Sequence, residues 1–230
     1  MERLAFDGEQ THTLPVPTVL LTAFEPFDGQ ALNASQRAMR AIDAEQLPGV
    51  HLVREELPTV FGESLQVLQD LIELHTPDLV VCLGQAGGRD GLSLERVAIN
   101  VDDARIPDNA GAQPVDAAIA DGGPVGYWST LPIKAICQAL HEAGFSVSVS
   151  QTAGTYVCNH VFYGLMHSLR QRDHVRGGFV HVPFCPDQVA ELKSPPPSLA
   201  STTVARALEL LLRITLSTSK DLVLPGGSEH

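Results

Sequence analysis

The clearest chemistry in this 230-residue chain lies in Ala153-Gly154-Thr155-Tyr156-Val157-Cys158-Asn159-His160, where one cysteine follows a glycine. Beyond it, Val161, Phe162, Leu165, Met166 and Leu169 recur at helical spacing, so Cys158 falls near the start of a helix. Free amides and the positive end of the helix dipole favour a thiolate there, and the thiolate is the nucleophile. The same residue also fits a small buried hydrophobe, the commoner fate of a lone cysteine. His181 stands near the end of the apolar run Gly178-Phe179-Val180-His181-Val182-Pro183, where an imidazole can face a site as a general base. Glu95, inside an alternating run, reads on its own as a solvated edge carboxylate.

Metal and nucleotide chemistry are weaker readings. His160, His167, His174 and His181 are spaced seven apart, farther than the three or four residues that let one helix face clasp an ion. No metal or cofactor is expected. Gly84-Gln85-Ala86-Gly87-Gly88-Arg89 lacks the dinucleotide-binding spacing, and residues 92–101 alternate like a strand instead of opening a helix. The glycines of this run are better suited to letting backbone pass close to a substrate. Phe24 and Phe27, on the proline- and glycine-broken loop after the first strand, fit either packing over a sheet edge or a ligand pocket.

These residues need a scaffold, and the alternation of patterns supplies one. Short apolar runs at 18–23, 53–57, 78–83, 92–101, 145–149 and 178–183 read as strands. Helices are expected from about Ser35, over 61–74, over 131–143, after Cys158 and over 201–216. Residues 100–124 are rich in turn formers and contain Arg105 and Asp108. This order implies an α/β fold: a three-layer α/β/α sandwich with a largely parallel, twisted central sheet. Ligands gather beyond the carboxyl ends of such strands, so the loops after Ala23 and Leu83 belong to the functional rim. Residues 1–16 read as an irregular N-terminal extension, 17–220 as a single catalytic α/β domain and 221–230 as a frayed C-terminal tail.

Composition narrows the partners. A formal charge of −12 argues against a nucleic-acid partner, which calls for a basic face. No run is long and apolar enough to span a membrane, so no membrane partner is expected. Cys82, Cys137, Cys158 and Cys185 are scattered without C-x-x-C pairs, as free thiols in a reducing, cytoplasmic compartment would be.

Taken together, Thr22-Ala23-Phe24-Glu25-Pro26-Phe27, the 84–89 glycine run leading to Glu95-Arg96-Val97-Ala98-Ile99-Asn100, Ala104-Arg105-Ile106-Pro107-Asp108-Asn109, and the stretches around Cys158 and His181 resemble the pyroglutamyl-peptidase I family. The resemblance covers roughly residues 18–216. It implies a phosphorylase/hydrolase-like fold and a cysteine exopeptidase that removes an N-terminal pyroglutamyl (5-oxoprolyl) residue from peptides through a thioacyl-enzyme, without a cofactor. By the same resemblance Cys158 is the nucleophile, His181 the base and Glu95 the carboxylate that orients the imidazole. Arg105 and the backbone around Cys158 face the oxyanion, while Phe24, Phe27, Gln85, Tyr156 and Val157 border the pyroglutamyl pocket. The partners implied are peptides with N-terminal pyroglutamate and further copies of the chain, as a homodimer or homotetramer.

Three positions depart from the pattern that the resemblance brings. Asp28 stands where the family usually has glycine, Ala34 where it has proline, and Tyr156 where it has phenylalanine, which adds a hydroxyl needing a partner. Two rival readings remain open: a catalytically silent α/β protein that binds a small cyclic amide or peptide N-terminus, and a nucleoside phosphorylase, which would not depend on a thiol.

Overall fold

A computed structural model describes residues 16–227. The expected N-terminal extension lies outside the described residues except for Val16. Eight strands and six helices alternate: β1 (Thr18–Phe24), α1 (Ala34–Arg40), β2 (His51–Leu57), α2 (Glu63–His75), β3 (Leu79–Gln85), β4 (Leu92–Glu95), β5 (Val97–Ile99), β6 (Gly126–Trp128), α3 (Ile133–Glu142), β7 (Val147–Ser150), α4 (Val157–Leu169), β8 (Arg176–Val182), α5 (Pro186–Val189) and α6 (Ser201–Ser217).

Six of the strands form one sheet in the order β2-β1-β3-β8-β4-β7. Every pairing in it is parallel except β4 against β8. The central strands β1 and β3 are apolar almost throughout because both of their faces are covered. On one side α1, α3 and α6 pack through Ala38, Met39, Ile136, Leu208 and Leu212. On the other, α2 and α4 pack through Leu68, Ile72, Val161, Phe162 and Leu165. The result is the expected three-layer sandwich.

The chain departs from the expected pattern in three places. The run 92–101 is one expected strand, but the chain breaks it at Arg96: β4 stays in the main sheet while β5 leaves to pair antiparallel with β6. The Asn159 side chain holds that excursion, its Oδ1 accepting from Ile99 N at 3.1 Å and its Nδ2 donating to the carbonyls of Ile99 and Val101. Strand β6 and helix α5 are too short to carry a periodic signal. The tail read as frayed makes defined contacts up to Gly226: Asp221 accepts from Lys134 N and Ala135 N at the start of α3, where Pro132 supplies no side-chain cap.

Candidate active site

Register brings Glu95 and His181 of the predicted triad together. Ser93 of β4 lies opposite His181 of β8, so Glu95, two residues along, projects to the same face as the imidazole. Its Oε1 sits 2.7 Å from His181 Nδ1, with both residues buried. An ionised carboxylate only accepts, so Nδ1 carries the proton and Nε2 is left as the free lone pair.

The sulfur reaches the same face by a gap in the neighbouring strand. Gly84 pairs with His181 across the parallel β3–β8 ladder, and a β-carbon on it would lie 2.8 Å from Cys158 Sγ and from the Phe179 ring. Only a residue without a side chain leaves that space to the thiol. Phe179 also packs on the imidazole, with ring centroids 4.9 Å apart.

Cys158 is the second residue of α4, as the sequence suggests, and nothing caps that helix end with a side chain. The amides of Val157, Cys158 and Asn159 precede the first intrahelical bond, which His160 N makes to Tyr156 O. They are the natural donors for a developing oxyanion.

The electrostatics correct one expectation. Burial, reinforced by the Glu95 carboxylate, pushes the Cys158 thiol up to about 12, and the nearby Arg89 only partly opposes this. Desolvation also lowers His181 below 6.5, against the opposing pull of Glu95. Both shifts favour the thiol and the neutral imidazole, against the thiolate that the helix position favours. Cys82, fully buried beneath, is likewise pushed up to about 12 by desolvation.

Beside the sulfur lies a small, narrow cavity lined by Phe24, Phe27, Gln85, Tyr156 and Val157, all five predicted pocket residues, together with Cys158. The Tyr156 hydroxyl finds its partner in Pro107 O at 3.1 Å. Asp28 and Gly29 both have positive φ, 52° and 68°, a turn that tolerates Asp as well as glycine.

Arg105 is the exception. Its side chain is exposed, forms no hydrogen bond among the described residues and does not line the cavity. Its loop does touch the Cys158 segment, through Asp103 N to Thr155 O and Thr155 Oγ1 to Asp103 O.

Sequence reasoning missed two participants. Arg89 donates to Glu95 Oε1 at 2.8 Å, fixing the carboxylate that holds the imidazole. Its one signal is a lone cation at the end of the glycine run. Thr59 lines the cavity beside Asn33, a first-loop pocket contact that the family resemblance implies, and both bond the Glu25 carbonyl. Thr59 had no pattern to mark it. Among the described residues, no three His, Cys, Asp or Glu side chains converge as a metal site requires, and no helix is long and apolar enough to cross a membrane.

The family model described as pyroglutamyl peptidase matches residues 17–217. A pyrrolidone-carboxylate peptidase of Klebsiella pneumoniae is 54% identical over 212 residues, which is 92% of this chain and 99% of that protein. Another, from Ralstonia nicotianae, is 52% identical over 94% of this chain and 100% of its own length. The crystal structure of pyroglutamyl peptidase I from Bacillus amyloliquefaciens superposes with a TM-score of 0.85 at 44% identity, covering 90% of this chain and 100% of that one. A mutant pyrrolidone carboxyl peptidase from Pyrococcus furiosus gives 0.82 at 37% identity, over 86% of this chain and 98% of that one. Agreement in sequence over nearly the whole length, and in fold, leads to one conclusion: this chain belongs to the pyroglutamyl peptidase family and is a hydrolase.

Proposed function

We propose that the chain is a cysteine exopeptidase that removes an N-terminal pyroglutamyl residue from peptides through a thioacyl-enzyme formed on Cys158. One observation carries this reading. The buried Glu95–His181 bond leaves Nε2 free on the sheet face where the Cys158 sulfur fills the gap at Gly84.

Because the thiol is protonated at rest, attack is coupled to proton transfer. The Cys158 proton passes to His181 Nε2 as the sulfur bonds the pyroglutamyl carbonyl carbon, giving a tetrahedral oxyanion. The first amides of α4 stabilise it. As the C–N bond breaks, the imidazolium returns its proton to the leaving amine. A water, deprotonated by His181, then attacks the thioester, releasing pyroglutamate and restoring the thiol. Glu95 holds the tautomer and favours the imidazolium of each intermediate.

Selectivity follows from Gln85. Its Oε1 accepts from Ala34 N at 2.7 Å and from Gln188 Nε2 at 2.8 Å, and the backbone donor requires an oxygen at that position. Only the NH₂ is left to offer, and it suits the lactam carbonyl. Prolyl peptides lack that carbonyl and leave the donor unpaired, at a cost of about 1–3 kcal/mol. Free thiols support placement in a reducing compartment. Exposed Trp128 on β6 and Val125 just before that strand support self-association.

The test is a mass measurement. Enzyme quenched during turnover of a pyroglutamyl amide is digested and mapped; a pyroglutamyl thioester on the Cys158 peptide supports the proposal. An adduct on another residue, or turnover of prolyl and pyroglutamyl amides at equal rates, contradicts it.

A further inference from the structure

A second buried histidine–carboxylate pair lies two residues from the nucleophile and takes no part in the chemistry above. His160 is 6% exposed, and its Nδ1 lies 2.8 Å from Asp102 Oδ2. Residues at i and i+2 on a helix face different sides, so His160 points away from the sulfur. Its Nε2 is already used, accepting the backbone N–H of Gly62 at 3.0 Å. That backbone donor leaves one neutral arrangement, with the proton on Nδ1 and donated to Asp102. His181 has the same tautomer with Nε2 free; His160 spends Nε2 on structure.

What His160 holds is unusual. Gly62 has φ 75° and ψ −55°, and Glu63 N bonds Phe61 O at 2.9 Å across it, a γ-turn of the rare, strained kind. Such a turn persists only where its surroundings impose it. Here the Gly62 amide is aimed into the imidazole, and Phe61 N is held by Asp108 Oδ2 at 2.8 Å. The Phe61 ring is thereby clamped edge-on between His160 and Tyr156, with centroids 5.5 Å from each. Tyr156 in turn packs on Phe27, and both line the cavity beside Cys158.

We infer that His160, oriented by Asp102, is a positioning residue for substrate selection: it locks the Phe61–Gly62 turn and so sets the Tyr156–Phe27 wall of the ring pocket. The inference rests on the proposed pyroglutamyl pocket. It assigns the His160–Asp102 pair to binding, and the Glu95–His181 pair to chemistry.

Two variants separate the bonds. His160→Asn keeps a donor toward Asp102 but is too short to accept from Gly62, whereas His160→Gln reaches the Nε2 position with an acceptor. On a pyroglutamyl amide, His160→Asn is expected to raise KM on the order of tenfold with kcat within about twofold, and His160→Gln to return KM to within about threefold of native. A parallel readout needs no turnover. 2-Pyrrolidone, as a bare lactam, should protect Cys158 from iodoacetamide in native protein and His160→Gln at concentrations about tenfold lower than in His160→Asn. An altered melting temperature with native KM and equal protection in both variants overturns the inference, as does a kcat loss with KM unchanged. Native protein that ignores pyroglutamyl amides refutes the proposed function, and the protection ratio then decides the positioning role by itself.

Discussion

The Cys158 sulfur occupies the place that a side chain on Gly84 would take, 2.8 Å from an ideal β-carbon there. Gly84 is also the register partner of His181, so a single absent methyl group sets the approach of thiol to imidazole. Gly84→Ala should leave the sheet folded and lower kcat by about 10²-fold, the typical effect of a misplacement near 1 Å. Steady-state kinetics beside a circular-dichroism melt would check this; native kcat in the variant would show that the sulfur does not depend on the gap.

The pH dependence is set by the resting protonation state. The base must be neutral, and desolvation lowers His181 below 6.5, so the acid limb of kcat/KM should fall below that value. No alkaline limb should appear near neutrality, because the Cys158 thiol is pushed up to about 12. The sign for stability agrees: the unfolded imidazole binds a proton at higher pH than the folded one, so stability is lost as pH falls through that window. A pH–rate profile with a thiolate absorbance titration would decide. A thiolate titrating below neutral pH would contradict this protonation scheme.

Arg89 should act through Glu95. Its cation disfavours the imidazolium at His181 and favours the Cys158 thiolate. Arg89→Met should therefore move the acid limb to higher pH and, by loss of a charged hydrogen bond worth about 1.5–3 kcal/mol, lower kcat/KM by roughly 10- to 100-fold. An acid limb that stays in place or moves down would count against that coupling.

Ala34 offers a milder test of the pocket. Its amide is one of two donors on Gln85 Oε1, and proline is well tolerated at this first position of α1. Ala34→Pro should raise KM by about fivefold, one neutral hydrogen bond of about 1 kcal/mol, with kcat little changed. An unchanged KM would mean that Gln188 alone orients the amide.

Much of this arrangement is legible in the sequence because it rests on periodicity. The apolar runs of β1 and β3 and the helical spacing after Cys158 identify the sandwich and place Cys158 at a helix start. Phe24, Phe27, Gln85, Tyr156 and Val157 converge on one cavity, as the family resemblance implies. The features that stay hidden depend on tertiary contacts without a period. The break at Arg96 is held by Asn159, sixty residues from the Ile99 amide that it receives, and the Arg89–Glu95 bond needs the strand end to turn back on itself. The upward push on the Cys158 thiol could not be read from its helix position, because it comes from burial and from Glu95, which the fold brings near.

The most direct test of the central claim is release of a fluorescent amine from a pyroglutamyl amide by native protein, Cys158→Ser and Cys185→Ser, all reduced. Release is expected from native protein and from Cys185→Ser, whose replaced thiol is buried against Gln188, with a loss of about 10³-fold or more in Cys158→Ser. Comparable release by Cys158→Ser, or none from correctly folded native protein, would contradict the assignment of Cys158 as the nucleophile of a pyroglutamyl peptidase.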